Sequence, residues 1–297
     1  MSKRHLHLGQ TLTFTADPFV EGPGAARPDT QGALVVEDGV ITQVGEAGAL
    51  RQGEFASVTD HGQALLLPGF IDAHAHYPQT AMIASWGKRL IDWLNSYTFP
   101  EETRYADEAH AARMATAFMD QLVAHGTTSA VAFCSVHSTS VDAYFTEATR
   151  RNMRMLGGKV LMDRNAPDGL RDTPQSGYDD SAALIGKWHG KRRCDYVISP
   201  RFAITSTPAQ MEMAQALAQE NLTCPIQTHL SENRDEIAYT LELYPQARDY
   251  LDVYQSYGLL RGNSLLGHAI HLEPREVDVL AETGAHPVFC PTSNLFL

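Results

Sequence analysis

The rhythm of apolar and polar positions changes once along the chain, near Leu65. Before it, HLHLGQTLTFTA alternates apolar and polar residues, and ALVVEDGVITQVGE carries two apolar runs around Glu37-Asp38-Gly39, a hairpin signal. Residues 21–30 lie between them, rich in Gly and Pro, and read as a loop. Residues 1–64 are therefore predicted to form a small antiparallel β unit. After Leu65, short apolar runs alternate with longer stretches of helical character. The predicted strands are Leu65–Asp72, Thr127–Phe133, Met155–Leu161, Tyr196–Pro200, Pro225–His229, Ser264–His268 and Pro287–Cys290. The predicted helices are Asp107–His125, Ser140–Asn152, Ser181–Gly190, Pro208–Asn221, Arg234–Leu243 and Pro274–Thr283. Pro208 and Pro274 suit a first helical turn, with Thr207 and Glu273 in the cap region.

Strands alternating with helices argue for a parallel sheet. Seven such strands in a row favour an α/β fold of the (β/α)8 TIM-like barrel type over an open doubly wound sheet. Such a barrel has eight strands, so residues 65–297 read as an incomplete barrel with its last strand expected beyond Leu297.

Composition narrows the partners. With 297 residues, 43% of them hydrophobic, the chain has ample material for a full core. A formal net charge of -12 repels phosphate backbones and anionic lipid, which argues against nucleic acid polymers and membranes. Cys134, Cys194, Cys224 and Cys290 are widely spaced with no C-x-x-C pair, so buried free thiols are expected. The N-terminus lacks the continuous apolar run of a signal peptide, and a reducing cytoplasm is the expected compartment.

Candidate chemistry gathers where predicted strands end. In Leu67-Pro68-Gly69-Phe70-Ile71-Asp72-Ala73-His74-Ala75-His76 an apolar strand closes on His-x-His. Side chains alternate along a strand, so His74 and His76 point the same way and make half a metal site. His229 closes the fifth predicted strand in QTHLSE, and Glu232 follows where a carboxylate can lean over a metal. The alternative for Glu232 is a helix N-terminal acid favoured by the dipole. His268 ends the sixth predicted strand, with His271 and His286 as its rivals. Three histidines and one open position suit a catalytic zinc, although iron also accepts such ligands. No P-C-x-x-C, G-x-G-x-x-G, P-loop or nucleophile elbow competes with this reading.

The motifs PGFIDAHAH, THLSE, GHAIHL and CPTSN resemble the amidohydrolase superfamily in its mononuclear branch. More narrowly, HAHYPQ, LMDRNAP, SPRFAITS, HLSENRDE and FCPTSNLFL resemble the guanine deaminases. The resemblance implies hydrolysis of guanine to xanthine and ammonia in purine catabolism, with one zinc ion (Zn2+) on His74, His76 and His229. It implies that Glu232 carries a proton from water to the ring nitrogen beside the attacked carbon, and that His268 orients that water. It also implies that Gln79 hydrogen-bonds the purine edge, Arg201 binds the carbonyl side and Phe202 packs on the ring. Residues 1–64 then correspond to the N-terminal part of a composite β-sandwich, and a homodimer is implied. The competing readings are hydrolysis at another ring, such as a triazine, pterin or oxidised purine, and a non-catalytic protein that keeps a purine pocket. An unaided reading of Arg201-Phe202 is a loop salt bridge beside a core aromatic.

The resemblance also implies an Asp at the end of an eighth strand, and Asp278 lies in a helical stretch that cannot supply it. Residues 1–297 are therefore expected to show weak guanine turnover or none. An ammonia-release assay on the purified chain checks this, and full turnover contradicts it.

Overall fold

The computed structural model describes residues 3–86 and 90–296 and falls into two compact units, Met1–Gly69 and Phe70–Leu297. The first unit holds one four-stranded sheet, built from β1 (Arg4–Phe14), β2 (Ala26–Glu37), β3 (Val40–Glu46) and β4 (Ser57–Leu66) in the order β3-β2-β1-β4. Leu6, Leu8, Ala33 and Val35 form its buried cluster, as the alternating pattern requires. The β2–β3 pair closes with Glu37 opposite Val40, across Asp38 and Gly39. Both turn residues have positive φ (51° and 83°), the pair of left-handed positions that a tight two-residue hairpin demands.

The sheet is not wholly antiparallel as expected, because β1 and β4 run parallel, from His5 opposite Ser57 onward. Alternation assigns a side chain to a face and carries no information about strand direction. The strand expected over Leu65–Asp72 also divides. Leu65 and Leu66 finish β4 opposite Gln10 and Thr11, and after Pro68-Gly69 a new strand, β5, runs Phe70–His76. Proline and glycine here punctuate two strands that an apolar-run reading merges.

In the second unit every strand pairing is parallel, as the alternation of strands and helices implies. The strands are β5, β6 (Thr127–Phe133), β7 (Arg154–Gly158), β8 (Val160–Leu161), β9 (Cys194–Tyr196), β10 (Ser199–Pro200), β11 (Ile226–Leu230), β12 (Ser264–His268) and β13 (His286–Val288). Among the described residues they form three ladders, β5-β6-β7-β9, β8-β10 and β11-β12-β13, rather than one closed ladder. A bridge between Ile198 and Ile226 carries the parallel series onward to β11. The strand expected over Met155–Leu161 breaks at Lys159, whose fully buried ammonium pairs with Asp172 at 2.5 Å. The next predicted strand breaks at Val197-Ile198 for a related reason. At this level the two segments press together, and a Cβ placed on Gly158 would lie 1.8 Å from the Val197 carbonyl oxygen.

Helices lie between the strands. Glu108–Ala124 begins on Asp107, whose carboxylate accepts from the His110 amide at 2.6 Å. Ser138–Arg151 ends at Asn152 in the left-handed region. Pro208–Glu220, Arg234–Leu243 and Pro274–Thr283 fall where the pattern places them, with Pro208 and Pro274 in first turns. Pro174–Trp188 starts earlier than expected, because Thr173 caps it and Pro174 opens it. Tyr250–Ser256 and the short turns of Tyr77–Ala106 carry too little periodicity to be read beforehand. The core of this unit is a large apolar cluster with a smaller one around Phe133, Val160 and Phe202, and all four cysteines are free and buried. Among the described residues no helix is long and apolar enough to cross a membrane.

The Gly158 contact gives a stability prediction. Gly158→Ala should destabilise the protein by about 1–3 kcal/mol, the usual cost of overpacking. Gly186→Ala, inside the helix Pro174–Trp188 with nothing within 4 Å of its added Cβ, should stabilise by roughly 0.5–1 kcal/mol. Urea melts of the two variants check this; a Gly158→Ala protein as stable as the wild type contradicts the close packing.

Candidate active site

The candidate residues meet at the C-terminal ends of the parallel strands, lining a cavity of about 780 Å³. His76 is the last residue of β5, His229 the penultimate residue of β11, and His268 the last of β12. Arg201 follows β10 directly, Glu232 sits between β11 and the helix Arg234–Leu243, and Gln79 lies in the turn Tyr77–Met82. All of these, with His74 and Phe202, face the one cavity.

How β5 presents two imidazoles is visible in its pairing. Its register against β6 slips between Asp72 and Ala75, a bulge that places one extra residue on β5. The His74 amide leaves the ladder there and donates instead to the Asp72 carboxylate at 3.0 Å. The His74 and His76 rings then stand 5.2 Å apart, centre to centre, and the His229 ring lies 4.8 Å from His74 and 5.0 Å from His76. Phe133 closes one side, stacked on His76 at 4.7 Å.

The three imidazoles fit a cation. One ring nitrogen from each of His74, His76 and His229 lies within 4.8 Å of the others. The His229 Nδ1–H donates to the Arg201 carbonyl at 2.7 Å, which leaves its Nε2 as a lone pair. That nitrogen faces His76 Nε2 at 2.9 Å, while His76 Nδ1 is buried with no hydrogen-bond partner. Burial holds the imidazoles below their ordinary pKa, to about 3 for His74 and about 4 for His268. Burial also lowers His76 and His229 well below the ordinary value, and the neighbouring imidazoles and Arg201 add to the effect. Neutral imidazoles packed with lone pairs converging are what a divalent ion of the zinc type binds. A second trio, His74, His268 and Cys290, is also close enough for a metal. Its thiol donates to the Val288 carbonyl at 3.3 Å and burial raises its pKa, so it is the poorer donor set.

Glu232 stands opposite His268, with 3.4 Å between its carboxylate oxygen and the ring nitrogen. Burial, then the negative charge of Glu236, raise Glu232 to about 8, against a lowering by Arg201. A carboxyl group so placed holds a proton near neutral pH and can also release it. Asn294 meets the other ring nitrogen of His268 at 2.9 Å. Of the rivals, His271 belongs to the turn after β12 and His286 rests its ring on the Gly262 carbonyl, outside the packed imidazoles.

Arg201 is 3% exposed, and its Nη1 donates to Glu102 at 2.7 Å. It is therefore a buried ion pair that also lines the cavity, which joins the bland reading of this residue to the functional one. Its guanidinium stands 5.6 Å over Phe99, and Phe202 is buried beside it. Tyr77 is fully buried and donates to the Ser140 carbonyl at 3.2 Å, so it shapes the loop that carries Gln79.

Three contributors escaped the sequence reading. Glu102 has no motif around it. Phe133 reads as an ordinary strand residue. Gly267 did leave a signal, since glycine inside a strand often marks a close approach. A Cβ there would lie 2.4 Å from His74 Cε1 and 2.6 Å from its Nδ1.

Comparison with known proteins places this geometry. The model of the Amidohydrolase family matches residues 65–297. Guanine deaminase of Escherichia coli (strain K12) is 46% identical over 288 residues, 96% of this chain and 66% of that protein. The solved E. coli guanine deaminase superposes with a TM-score of 0.95 at 45% identity, covering 99% of this chain and 69% of the other. Guanine deaminase from C. acetobutylicum, solved with bound guanine in its active site, gives a TM-score of 0.89 at 28% identity over 99% of this chain and 69% of its own. The chain thus spans just under two thirds of the curated E. coli relative.

Gly267→Ala should push the His74 ring from its place and weaken metal binding at the three imidazoles by about 10–100-fold, the range seen when residues supporting metal ligands are altered. Competition with a chromophoric chelator measures this. Wild-type affinity in a folded Gly267→Ala protein contradicts the packing described.

Proposed function

The chain belongs to the amidohydrolase family, and we propose that its site serves the hydrolytic deamination of guanine to xanthine and ammonia. One arrangement supports this reading above the rest: His74, His76 and His229 converge beside the Glu232–His268 pair, in the cavity that Arg201 and Phe202 line. The similarity to guanine deaminases supports the choice of ring. The second unit is read as the family's (β/α) barrel, and the first as part of a composite β-sandwich.

Zinc held by the three imidazoles supplies Lewis acidity, which makes a water molecule nucleophilic near neutral pH. Everything else falls to the side chains. The aminated ring carbon of guanine is a weak electrophile until the adjoining ring nitrogen is protonated. Glu232 accepts the proton that the attacking water loses and delivers it to that nitrogen. His268, facing the same carboxylate, orients the water. A C–O bond forms; the proton left on the added oxygen passes by way of Glu232 to the departing amino group, so that the C–N bond breaks and ammonia leaves as the carbonyl of xanthine forms. Low polarity around Glu232 is what raises its affinity for the proton toward neutral pH.

Recognition rests on Arg201, Phe202 and Gln79. Glu102 holds one arm of the guanidinium, and the remaining N–H donors are directed to the carbonyl side of the purine. Phe202 gives a flat surface to the ring, and Gln79 a hydrogen bond to its edge. The acidic, cysteine-poor chain accords with a cytoplasmic enzyme of purine breakdown.

Two variants test the assignment. Glu232→Gln should lower the weak guanine turnover expected of this chain by about 10²–10⁴-fold, the range for losing a positioned acid–base group, with the bound zinc retained. Arg201→Leu alone would orphan the buried Glu102, so it is paired with Glu102→Gln. The double variant should bind guanine at least about tenfold more weakly, as expected when hydrogen-bond donors to a bound base are removed. Ammonia release and equilibrium binding read these effects; unchanged turnover in the first variant or unchanged affinity in the second contradicts the reading.

A further inference from the structure

Resting on the reading of Glu232 as the proton carrier, we propose that Glu236 is a positioning residue. It pins the backbone of Glu232 and ties it, through Tyr250 and Tyr254, to the backbone of the metal-ligand strand at His229.

Glu236 is 3% exposed, an unusual place for a carboxylate unless its oxygens are engaged. It is the third residue of the helix Arg234–Leu243, and with Asn233 it forms a capping box. A capping box asks of it only the Asn233 amide, which its Oε2 accepts at 3.1 Å. The same oxygen also accepts the Glu232 amide, at 2.9 Å. That second bond lies outside the helix and fixes the residue proposed to move the proton.

The other oxygen leads away from the helix. Glu236 Oε1 accepts from the Tyr250 hydroxyl at 2.9 Å, and the Tyr250 ring packs on the Tyr254 ring with centroids 5.6 Å apart. The Tyr254 hydroxyl donates to the His229 carbonyl at 2.8 Å and accepts from the Ala203 amide at 3.0 Å. Both tyrosines are almost fully buried. Hydrogen bonds at either end, with the packed rings of the two tyrosines between them, therefore connect the backbone at Glu232 with that at His229 and just after Phe202, the three places that bring proton transfer, metal ligand and ring platform together.

Such a tie is needed where the backbone turns sharply. Ser231 has φ 49°, and the facing turn after β12 has φ 73° at His268 and 49° at Ala269. The amides of Ile270 and His271 both donate to the Ser231 carbonyl at 3.2 Å, which holds the two turns to each other. Without Glu236 the Glu232 amide has no acceptor, and the turn can relax. A shift on the order of 1 Å in a catalytic group costs as much as about a hundredfold in rate.

The test uses the zinc-loaded full chain, and reads amide hydrogen exchange and guanine kinetics together. Glu236→Ala should raise exchange at the Glu232 and Asn233 amides by about tenfold or more, as the local opening energy falls. It should lower kcat about ten- to a hundredfold, while bound zinc and KM stay close to wild type. Glu236→Gln keeps one carbonyl acceptor for the two amides, and should restore both the protection and most of kcat. Tyr250→Phe cuts only the link toward His229, and should lower kcat in the same direction by less; it carries the test if the alanine variant does not fold. Unchanged exchange at Glu232 together with unchanged kcat in Glu236→Ala, or in Tyr250→Phe in its place, overturns the proposal. So does a loss confined to zinc content or KM. Glu232→Gln run alongside separates the premise: if that variant keeps turnover, the proton-carrier reading fails, while the exchange data still decide whether Glu236 holds the turn.

Discussion

Four imidazoles packed within a few ångströms in a low-dielectric cavity are the constraint on which the rest of this structure depends. Burial alone keeps them neutral, and each additional positive neighbour reinforces it. Neutral rings so close bring one nitrogen from each of His74, His76 and His229 within 4.8 Å of the others, a spacing at which a single cation can meet all three. The hydrogen bond from His229 Nδ1 to the Arg201 carbonyl fixes the tautomer and leaves its Nε2 lone pair facing His76.

The surrounding chemistry follows from that cluster. Arg201 serves twice, once through its carbonyl, which orients His229, and once through its guanidinium, which Glu102 holds against the cavity wall. His229 on β11 and the Arg201 guanidinium are thereby both fixed by the stretch of backbone directly after β10. Glu232, held near a neutral-pH proton affinity, faces His268 from the next turn. Three imidazoles able to hold a metal, a carboxyl group able to give and take a proton and a guanidinium lining the same cavity are the features on which the proposed hydrolysis rests.

Much of this was legible in the sequence, for identifiable reasons. The strand tips that carry His74, His76, His229 and His268 stood out because a polar metal-ligating residue closing an apolar run has few structural uses. Helices that begin with a cap and a proline, such as Pro208–Glu220, were readable because local hydrogen bonds set their ends. What escaped depends on partners distant in sequence. Glu102 meets Arg201 across 99 residues, and nothing near it in the chain announces that pairing. The parallel course of β1 and β4 and the breaks at Lys159 and Val197 come from packing between segments, where a single buried charge or a carbonyl pressed against a glycine overrides strand propensity.

The central claim is that three imidazole nitrogens, from two strands, hold one zinc ion. X-ray absorption at the zinc edge, on chain loaded with one equivalent of zinc, tests it most directly. The account predicts a first shell of nitrogen and oxygen scatterers at about 2.0–2.1 Å, with the outer-shell pattern of several imidazoles. A sulfur scatterer near 2.3 Å would place the ion on Cys290 and contradict the account, and so would a shell without imidazole.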